Sequence, residues 1–161
     1  MIRIRHISEL DWDCIAALEA STYSGCGLSE GRAALESRAC ASPGTCFVLE
    51  AGRRIAGYVL SMPYPAFRYP DLTRTEQRTF RSPNLHLHDL VIAGDLRGRG
   101  LGRDLLHHLT ATARSSTFER ISLVAVGGSD TFWFANGYRE HPEITLPDSY
   151  GANALYMSKA I

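Results

Sequence analysis

Apolar and polar residues alternate from Ile2 to Ile7, as they do along a strand with one buried face. Further on, apolar residues recur at helical spacing or cluster in short runs bounded by glycine and proline. Ser29 suits a helix N-cap position, and Gly52-Arg53 suits a hairpin turn. The first half is therefore predicted to contain a strand at 2–7, helices at 10–19 and 29–40, and strands at 46–49 and 55–60.

Residues 63–83 form a long irregular segment that carries four prolines. Beyond it, one apolar stripe predicts a helix over 100–115, and Gly137 suits the left-handed position that follows a helix. The stripe consists of Leu101, Leu105, Leu109 and Ala113. The second half is predicted to contain strands at 85–92 and 121–126, helices at 100–115 and 129–136, and strands at 138–144 and 155–158.

This element order predicts an α/β (α+β) fold, formed by a single domain over residues 1–161. The strand-helix-strand units from residue 85 onward indicate some parallel pairing, and the other strand pairs are expected to be antiparallel. No internal repeat or low-complexity segment interrupts the pattern.

The 161 residues carry a formal net charge of zero, with a pI near 7.0. Nucleic acid and anionic membrane surfaces attract basic proteins, so neither is expected as a partner. No apolar run is long enough to span a membrane or to resemble a signal peptide. The four cysteines lack Cys-x-x-Cys spacing, so a zinc ribbon is not expected. A domain of this size does not need disulfides, so we expect free thiols and a cytoplasmic location.

A strand, a loop rich in glycine and arginine, and a helix follow one another between residues 90 and 103. Backbone N–H groups at a helix N-terminus have no internal partner, and glycines let an anion approach them closely. Arginine side chains add charge-assisted hydrogen bonds. The segment predicts an anion site, although a solvated basic turn that caps the helix has a similar composition. Its residues are Arg97, Gly98, Arg99, Gly100, Leu101, Gly102 and Arg103.

The spacing within this loop does not fit the common nucleotide loops. The stretch 98–103 lacks the last glycine of Gly-x-Gly-x-x-Gly, and no Gly-Lys-Ser/Thr follows it. Arg97-x-x-Gly100-x-Gly102 instead resembles the Arg/Gln-x-x-Gly-x-Gly/Ala motif of the GNAT superfamily of N-acetyltransferases. The strand at 87–91 resembles the fourth strand of that fold, and 132–138 resembles its Phe-Tyr-x-x-x-Gly-Phe segment. The first half of the chain matches the family by element order alone.

The resemblance implies a mixed, mostly antiparallel central sheet with a V-shaped splay between its fourth and fifth strands, flanked by about four helices. It implies acetyl-CoA as cosubstrate and no metal. The loop would hold the pyrophosphate, the pantetheine arm would follow the backbone of the fourth strand, and the thioester would lie in the splay. The residues implied in cofactor binding are Leu90, Val91, Ile92, Arg97, Gly98, Arg99, Gly100, Leu101, Gly102, Arg103 and Trp133.

The chemistry implied by the resemblance is attack of an amine on the thioester carbonyl, which a base assists. His86 and His88 lie two residues apart and share one side of the strand, whereas Asp89 faces the other side unless a bulge intervenes. We name all three as candidate catalytic residues and expect one of the histidines to be the base. The alternative is that both histidines are structural or only line the cleft. No third ligand accompanies them, so a metal is not expected.

The candidate acid departs from the family pattern, because Trp133 stands where relatives often carry a tyrosine. An indole N–H donates a hydrogen bond but does not release its proton to a thiolate at neutral pH. The proton for the thiolate would then come from another hydroxyl or from water, or the thiolate would leave without one. Ser129, Tyr138 and Tyr150 are candidates only by their proximity along the chain.

The acceptor pocket is expected between the loop at 23–28 and the aromatic loop at 64–69, which flank the cleft in this fold. Tyr23, Tyr64 and Phe67 are the candidate substrate-binding residues, since aromatic rings hold aliphatic or cationic amines by packing and cation–π contact. The same aromatic residues would equally suit lid packing or a homodimer interface.

The sequence thus predicts an acetyl-CoA-dependent N-acetyltransferase that modifies the primary amine of a small molecule. One alternative is a degenerate acyl-CoA-binding sensor or partner domain, which Trp133 favours. Another is an N-terminal or lysine acetyltransferase of proteins, which needs an open groove. The proline-rich segment argues against an open groove.

Overall fold

Eleven helices and strands, apart from short 3-10 turns, make up the computed structural model, which describes residues 1–161. The strands are β1 (Ile2–His6), β2 (Phe47–Ala51), β3 (Arg54–Pro63), β4 (Asn84–Ile92), β5 (Arg120–Ala125), β6 (Arg139–Glu140) and β7 (Leu155–Ala160). The helices are α1 (Trp12–Tyr23), α2 (Arg32–Ala41), α3 (Leu101–Ser115) and α4 (Asp130–Ala135). All seven strands form one sheet in the order β1-β2-β3-β4-β5-β7-β6.

Two hydrophobic cores lie on opposite faces of this sheet. On one face, Trp12 and Leu35 of α1 and α2 pack with Tyr58 and Val91 of the sheet. On the other face, the stripe of α3 packs with Leu85 and other residues of the sheet. The four residues predicted for that stripe are all buried: Leu101, Leu105, Leu109 and Ala113. The 3.6-residue period of α3 was therefore a correct guide to its buried side.

The central strands β4 and β5 run parallel but pair only at their beginnings. Asn84, Leu85 and His86 of β4 pair with residues 120–122 of β5, and the ladder stops there. All other neighbouring strands are antiparallel. The structure confirms the predicted mixed, mostly antiparallel sheet, its splay between the fourth and fifth strands and its four flanking helices.

Helix α2 begins later than the sequence predicts. Its N-cap is Gly31, with a φ of 86° that favours glycine, and the first helical residue is Arg32. Ser29 was expected to cap this helix, but its hydroxyl donates to a carboxylate oxygen of Glu19 in α1. A tertiary hydrogen bond therefore replaces the local cap, and 29–31 remain outside the helix.

The strand predicted at 138–144 is reduced to the two residues of β6. After β6, the N–H of His141 still donates to the carbonyl of Tyr156 in β7. The pairing then ends in a turn, in which the N–H of Ile144 donates to the carbonyl of His141. Just before β6, Gly137 has a φ of 89° and the N–H of Tyr138 reaches back to the carbonyl of Trp133. This is the helix-ending geometry that the sequence predicted for Gly137.

The four cysteines are unpaired, as expected for a domain of this size. None of the four helices combines the length and the hydropathy that crossing a membrane requires.

Candidate active site

A cavity of about 970 Å³ follows the gap between β4 and β5. Its walls include 87–92 of β4 and Leu123 and Val124 of β5, which are the parts of the two strands that do not pair with each other. The cavity extends from the N-terminus of α3 at one end to His88 and the loop before α2 at the other. We call these the cofactor end and the acceptor end.

The cofactor end is formed by the predicted anion loop. Gly98 and Gly100 have φ values of 80° and 78°, in the region that favours glycine, and Gly100 is the N-cap residue of α3. Because no side chain caps this helix, the N–H groups of its first turn remain available to a ligand. The helix dipole adds positive potential at the same point.

The three arginines of the loop differ in position. Arg97 and Arg103 line the cavity, whereas Arg99 lies outside it. The Nε of Arg97 donates to the carbonyl of Ile92 at 3.0 Å, which ties the loop to the end of β4. The cofactor end thus carries two arginines and an open helix N-terminus, and most of its residues come from one stretch of sequence, 90–103, which Trp133 of α4 joins. The predicted cofactor residues that line it are Leu90, Val91, Ile92, Arg97, Gly98, Gly100, Leu101, Gly102, Arg103 and Trp133.

A bulge in β4 decides which way its polar side chains point. Leu60 of β3 pairs with Asp89, and the next residue, Ser61, pairs with Leu87, so that His88 is skipped. The extra residue reverses the alternation along the strand. Asp89 consequently joins His88 on the side of α1 and α2, and both line the cavity. The sequence predicted opposite sides for these two residues unless a bulge intervened, and the bulge is present.

His88 is fixed by a carboxylate that the sequence analysis missed. Its Nε2 donates to Oε2 of Glu30 at 2.6 Å, and both side chains are buried. The Nδ1 of His88 makes no hydrogen bond and is not fully buried. Because His88 lines the cavity, this nitrogen is open to it. Burial alone would raise the pKa of Glu30, but His88 and Arg38 lower it to about 2. With Nε2 donating to Glu30, an unprotonated Nδ1 would present its lone pair to the cavity.

Asp89 lies beside this pair and accepts hydrogen bonds from two tyrosines. The hydroxyl of Tyr23 donates to Oδ1 at 2.7 Å, and that of Tyr58 donates to Oδ2 at 2.6 Å. Burial raises the pKa of Asp89 to about 6, even though both hydrogen bonds and the nearby His88 act to lower it. No arginine or lysine pairs with this carboxylate.

His86 is placed differently from His88. Its side chain does not line the cavity, and its Nδ1 is hydrogen-bonded to Oγ of Ser122 at 2.9 Å. Burial, with His88 and Arg38 nearby, lowers the pKa of His86 to about 3, so the ring is neutral. Among a base, a structural residue and a residue that lines the cleft, this environment favours the structural role for His86.

Of the two loops that the sequence named, only the loop at 23–28 lines the acceptor end, and no residue of 64–69 does. Tyr23 lines the cavity. Tyr64 instead packs against Phe80 and His86, while Phe67 is about half exposed and contacts His141 and Tyr156. The long segment contributes Leu72 to the lining in place of these two rings.

Arg38 holds the long segment in this position. Its guanidinium is fully buried and donates to the carbonyls of Asp71 and Arg74, which flank Leu72. It also pairs with Glu30 at 2.9 Å and with Glu76 at 2.8 Å. The segment, the loop before α2 and His88 are therefore joined through one buried ionic network.

Three hydroxyls were candidates for the acid by their proximity along the chain, those of Ser129, Tyr138 and Tyr150. Tyr138 does not line this cavity, whereas Ser129 and Tyr150 do. The Tyr150 hydroxyl donates to the carbonyl of Pro70 at 2.5 Å, and burial raises its pKa further above the ordinary value. Trp133 is buried in the core against Tyr138 and also borders the cavity. No group of three or more histidine, cysteine or acidic side chains is arranged to hold a metal ion.

Comparison with known proteins identifies the family. A model of the GNAT acetyltransferase family matches residues 12–131, about three quarters of the chain. The protein belongs to the GNAT acetyltransferase family, as the loop motif predicted, and acetyl-CoA is accordingly its expected class of cosubstrate. A search of curated proteins gave no significant match.

Solved structures share the fold over nearly the whole chain. A GNAT-like decarboxylase, GphF, in complex with isobutyryl-CoA is 22% identical with a TM-score of 0.79, over 98% of both chains. PaiA N-acetyltransferase from Thermoplasma acidophilum, in complex with coenzyme A, is 13% identical with a TM-score of 0.71, over 100% of this chain and 99% of that one. N-acetylglutamate synthase from Neisseria gonorrhoeae, with coenzyme A and N-acetyl-glutamate, is 18% identical with a TM-score of 0.74, over 99% of this chain and 35% of that one.

Proposed function

We propose that the protein is an N-acetyltransferase that moves the acetyl group of acetyl-CoA to the primary amine of a small molecule by direct attack of the amine on the thioester. One observation carries the proposal. A single cavity connects an uncapped helix N-terminus, suited to a diphosphate, with the open Nδ1 of His88, suited to take up a proton. The unpaired stretch of β4 lies between them.

The cofactor end would hold the diphosphate of acetyl-CoA through the N–H groups of the first turn of α3 and the guanidinium groups of Arg97 and Arg103. The pantetheine arm is itself a chain of amides. It would lie along residues 87–92 of β4, whose edge facing β5 has no strand partner beyond His86. Backbone groups without a partner favour a ligand that supplies one.

His88 is the proposed base, and Glu30 is the residue that positions it. The amine nitrogen forms a bond to the thioester carbonyl carbon, and its excess proton passes to Nδ1 of His88, directly or through a water molecule. A backbone N–H of β4 would stabilise the negative charge on the carbonyl oxygen. The carbon–sulfur bond then breaks and the thiolate leaves as coenzyme A. The Glu30 carboxylate stabilises the protonated imidazole while it exists.

A second candidate function is binding of acyl-CoA without acyl transfer, as in a sensor domain. Its support is the scarcity of proton donors for the thiolate. Trp133 replaces the tyrosine of relatives, and the hydroxyls of Tyr23 and Tyr150 already donate to Asp89 and to the carbonyl of Pro70. Acyl transfer then requires water as the donor, or departure of the thiolate without one.

Release of free coenzyme A from acetyl-CoA, measured against a panel of primary amines, separates the two functions. Three cysteines of the protein are exposed and react with thiol reagents, so each assay needs a blank without amine. Amine-dependent thiol release, with the acetylated amine identified by mass spectrometry, is the expected result. Binding of coenzyme A in calorimetry without thiol release across the panel would contradict the transferase and support the sensor.

A further inference from the structure

A second cavity, of about 320 Å³, lies between α3 and the turn that follows α4. Its walls come from the middle and end of α3, from that turn and from β7. Asn136 is the one residue that it shares with the cavity between β4 and β5, which we call the main cavity. Its volume falls at the lower end of the range, about 300–1,000 Å³, that is usual for small-molecule sites.

The charged side chains that line the second cavity are all basic. They are His107 and Arg114 of α3 and Lys159 of β7. None of the three forms a salt bridge with a carboxylate. A concave surface lined by charges of one sign concentrates its field in the cavity, which favours an ion of the opposite sign. The second cavity is therefore suited to an anion.

Lys159, the only lysine of the chain, is held by the backbone and not by an acid. Its Nζ donates to the carbonyl of Asn136 at 3.0 Å, at the end of α4. Gly137 permits this approach, since a Cβ at that position would lie 3.2 Å from both Nζ and Cε of the lysine. An ammonium has three N–H donors, so two of them remain free for a ligand.

Tyr138 gives a second, independent indication of a ligand. It lines the second cavity and not the main one, and it is 3% exposed. Its hydroxyl is buried without a hydrogen-bond partner. Buried hydroxyls are rarely left in this condition in folded proteins. An oxygen of a ligand in the second cavity would supply the missing partner.

The second cavity is separate from the loop proposed to hold the diphosphate of acetyl-CoA. Arg114 lies twelve residues beyond Gly102 on α3, which is about 18 Å along the helix axis. The 3′-phosphate of coenzyme A is joined to the diphosphate through a single ribose, which is a much shorter link. None of the three basic residues of the second cavity lines the main one. The anion that fits here is therefore a different group from those of the cofactor.

We propose that the second cavity binds the phosphate group of a small phosphomonoester, held by Arg114, Lys159 and His107. Such a group carries about 1.5 to 2 negative charges at neutral pH and three acceptor oxygens. The guanidinium of Arg114 offers paired N–H donors to two oxygens, and Lys159 offers its two free N–H groups. The volume of the cavity leaves room for a small organic group, such as a sugar. This inference concerns binding alone and does not depend on the proposed function.

Calorimetry with ribose 5-phosphate and with ribose, both in the presence of excess coenzyme A, tests the proposal. Coenzyme A is included to occupy the anion loop of the main cavity. At an ionic strength of about 0.15 M, ribose 5-phosphate is expected to bind with a submillimolar dissociation constant, at least about tenfold more tightly than ribose. No binding of ribose 5-phosphate up to about 10 mM, or equal binding of the two compounds, would overturn the proposal.

Matched removal of single charges assigns the binding to this cavity. Arg114→Gln should weaken binding of ribose 5-phosphate by about tenfold, and Lys159→Met, which keeps the apolar stem, should have a similar effect. Arg53→Gln removes an equally exposed arginine from the turn between β2 and β3 and should leave the affinity unchanged. Equal losses in Arg114→Gln and Arg53→Gln would indicate a general attraction by surface charge and refute the site. Should Lys159→Met fail to fold, the two arginine variants still decide the question.

Dephospho-coenzyme A separates a free phosphomonoester from the 3′-phosphate of the cofactor itself. The proposal predicts that Arg114→Gln changes the affinity for neither coenzyme A nor dephospho-coenzyme A. If Arg114→Gln weakens binding of coenzyme A but not of dephospho-coenzyme A, the second cavity holds the 3′-phosphate of the cofactor, and the proposal of a separate ligand is wrong.

Discussion

The two ends of the cavity are built in different ways. The cofactor end comes mainly from one continuous stretch, the end of β4, the glycine-rich loop and the start of α3, with Trp133 of α4 beside it. The acceptor end combines residues from α1, the loop before α2, β3, β4 and the long segment before β4. The cofactor end depends on local backbone geometry, and the acceptor end depends on tertiary contacts between distant side chains.

Because the two ends are built from different residues, substitutions should affect coenzyme A binding and catalysis separately. Changes at the cofactor end should weaken affinity for coenzyme A, while changes at the acceptor end should lower the rate or alter the choice of acceptor. A substitution that affects both equally would show that the two ends do not act separately.

Replacing His88 by glutamine should have the largest effect, because the proposed base is lost while a polar side chain remains. We expect kcat to fall by about 10²- to 10⁴-fold. The dissociation constant of coenzyme A, measured by calorimetry, should change little, since the cofactor loop lies at the other end of the cavity.

His86→Gln is the matched control for this change. His86 is buried outside the cavity and bonded to Ser122, so its loss should lower Tm and leave kcat close to that of the unmodified protein. If His86→Gln lowers kcat more than His88→Gln does in folded proteins, the assignment of the base to His88 is wrong.

Charge reversal at Arg103 tests the cofactor end. Arg103→Glu should weaken binding of coenzyme A by about tenfold at low salt, because this exposed side chain lines the cavity and would repel the diphosphate. A glutamate is well tolerated in the first turn of a helix, so the fold should persist. Calorimetry at two ionic strengths measures the effect, which should diminish as salt rises.

Arg99→Glu provides the comparison, since it reverses an equally exposed charge of the same loop that lies outside the cavity. Its effect on the affinity for coenzyme A should be clearly smaller. Equal losses in the two variants would indicate a general attraction by the loop instead of a defined diphosphate site.

The pKa of Asp89 predicts a modest, pH-dependent effect on stability. Its folded-state value, about 6, exceeds the ordinary 3.8, so the folded protein holds a proton that the unfolded chain has lost. Below pH 4 the carboxyl is protonated in both states, so no unfolding free energy is lost. Above pH 6 it is charged in both states, and the full cost of burying the charge lowers the unfolding free energy. Relative to Asp89→Asn, the unmodified protein should therefore lose up to about 3 kcal/mol of unfolding free energy as pH rises from 4 to 7.

Urea denaturation of both proteins at several pH values measures this difference. A difference that stays constant from pH 4 to pH 7 would mean that Asp89 titrates normally, and its description as a buried carboxylate without a cation would then fail.

Much of the fold and most of the cofactor end could be predicted from the sequence, because both depend largely on local patterns; Arg99, predicted as a cofactor residue, lies outside the cavity. The stripe from Leu101 to Ala113 indicated the buried face of α3, and Gly137 indicated the end of α4. The loop at 97–102 combined with its flanking strand and helix to indicate the family. These signals need only the spacing of residues along one or two elements.

The acceptor end could not be predicted to the same degree, because no local sequence pattern indicates a contact between residues that are distant along the chain. Glu30 lies in a loop without a motif, and its role appears only once β4 brings His88 to within 2.6 Å of it. The bulge that turns Asp89 toward His88 depends on pairing with β3. The same limit explains Tyr64 and Phe67, which are aromatic residues of the expected loop that pack outside the cavity.

A crystal structure of the protein with coenzyme A would locate the diphosphate, the pantetheine arm and the thiol in one experiment. We expect the diphosphate against the N–H groups at the start of α3, close to Arg103. We also expect the pantetheine arm along 87–92 of β4, and the thiol at the same end of the cavity as Nδ1 of His88. Coenzyme A bound elsewhere, or in this cavity with its thiol directed away from His88, would contradict the account.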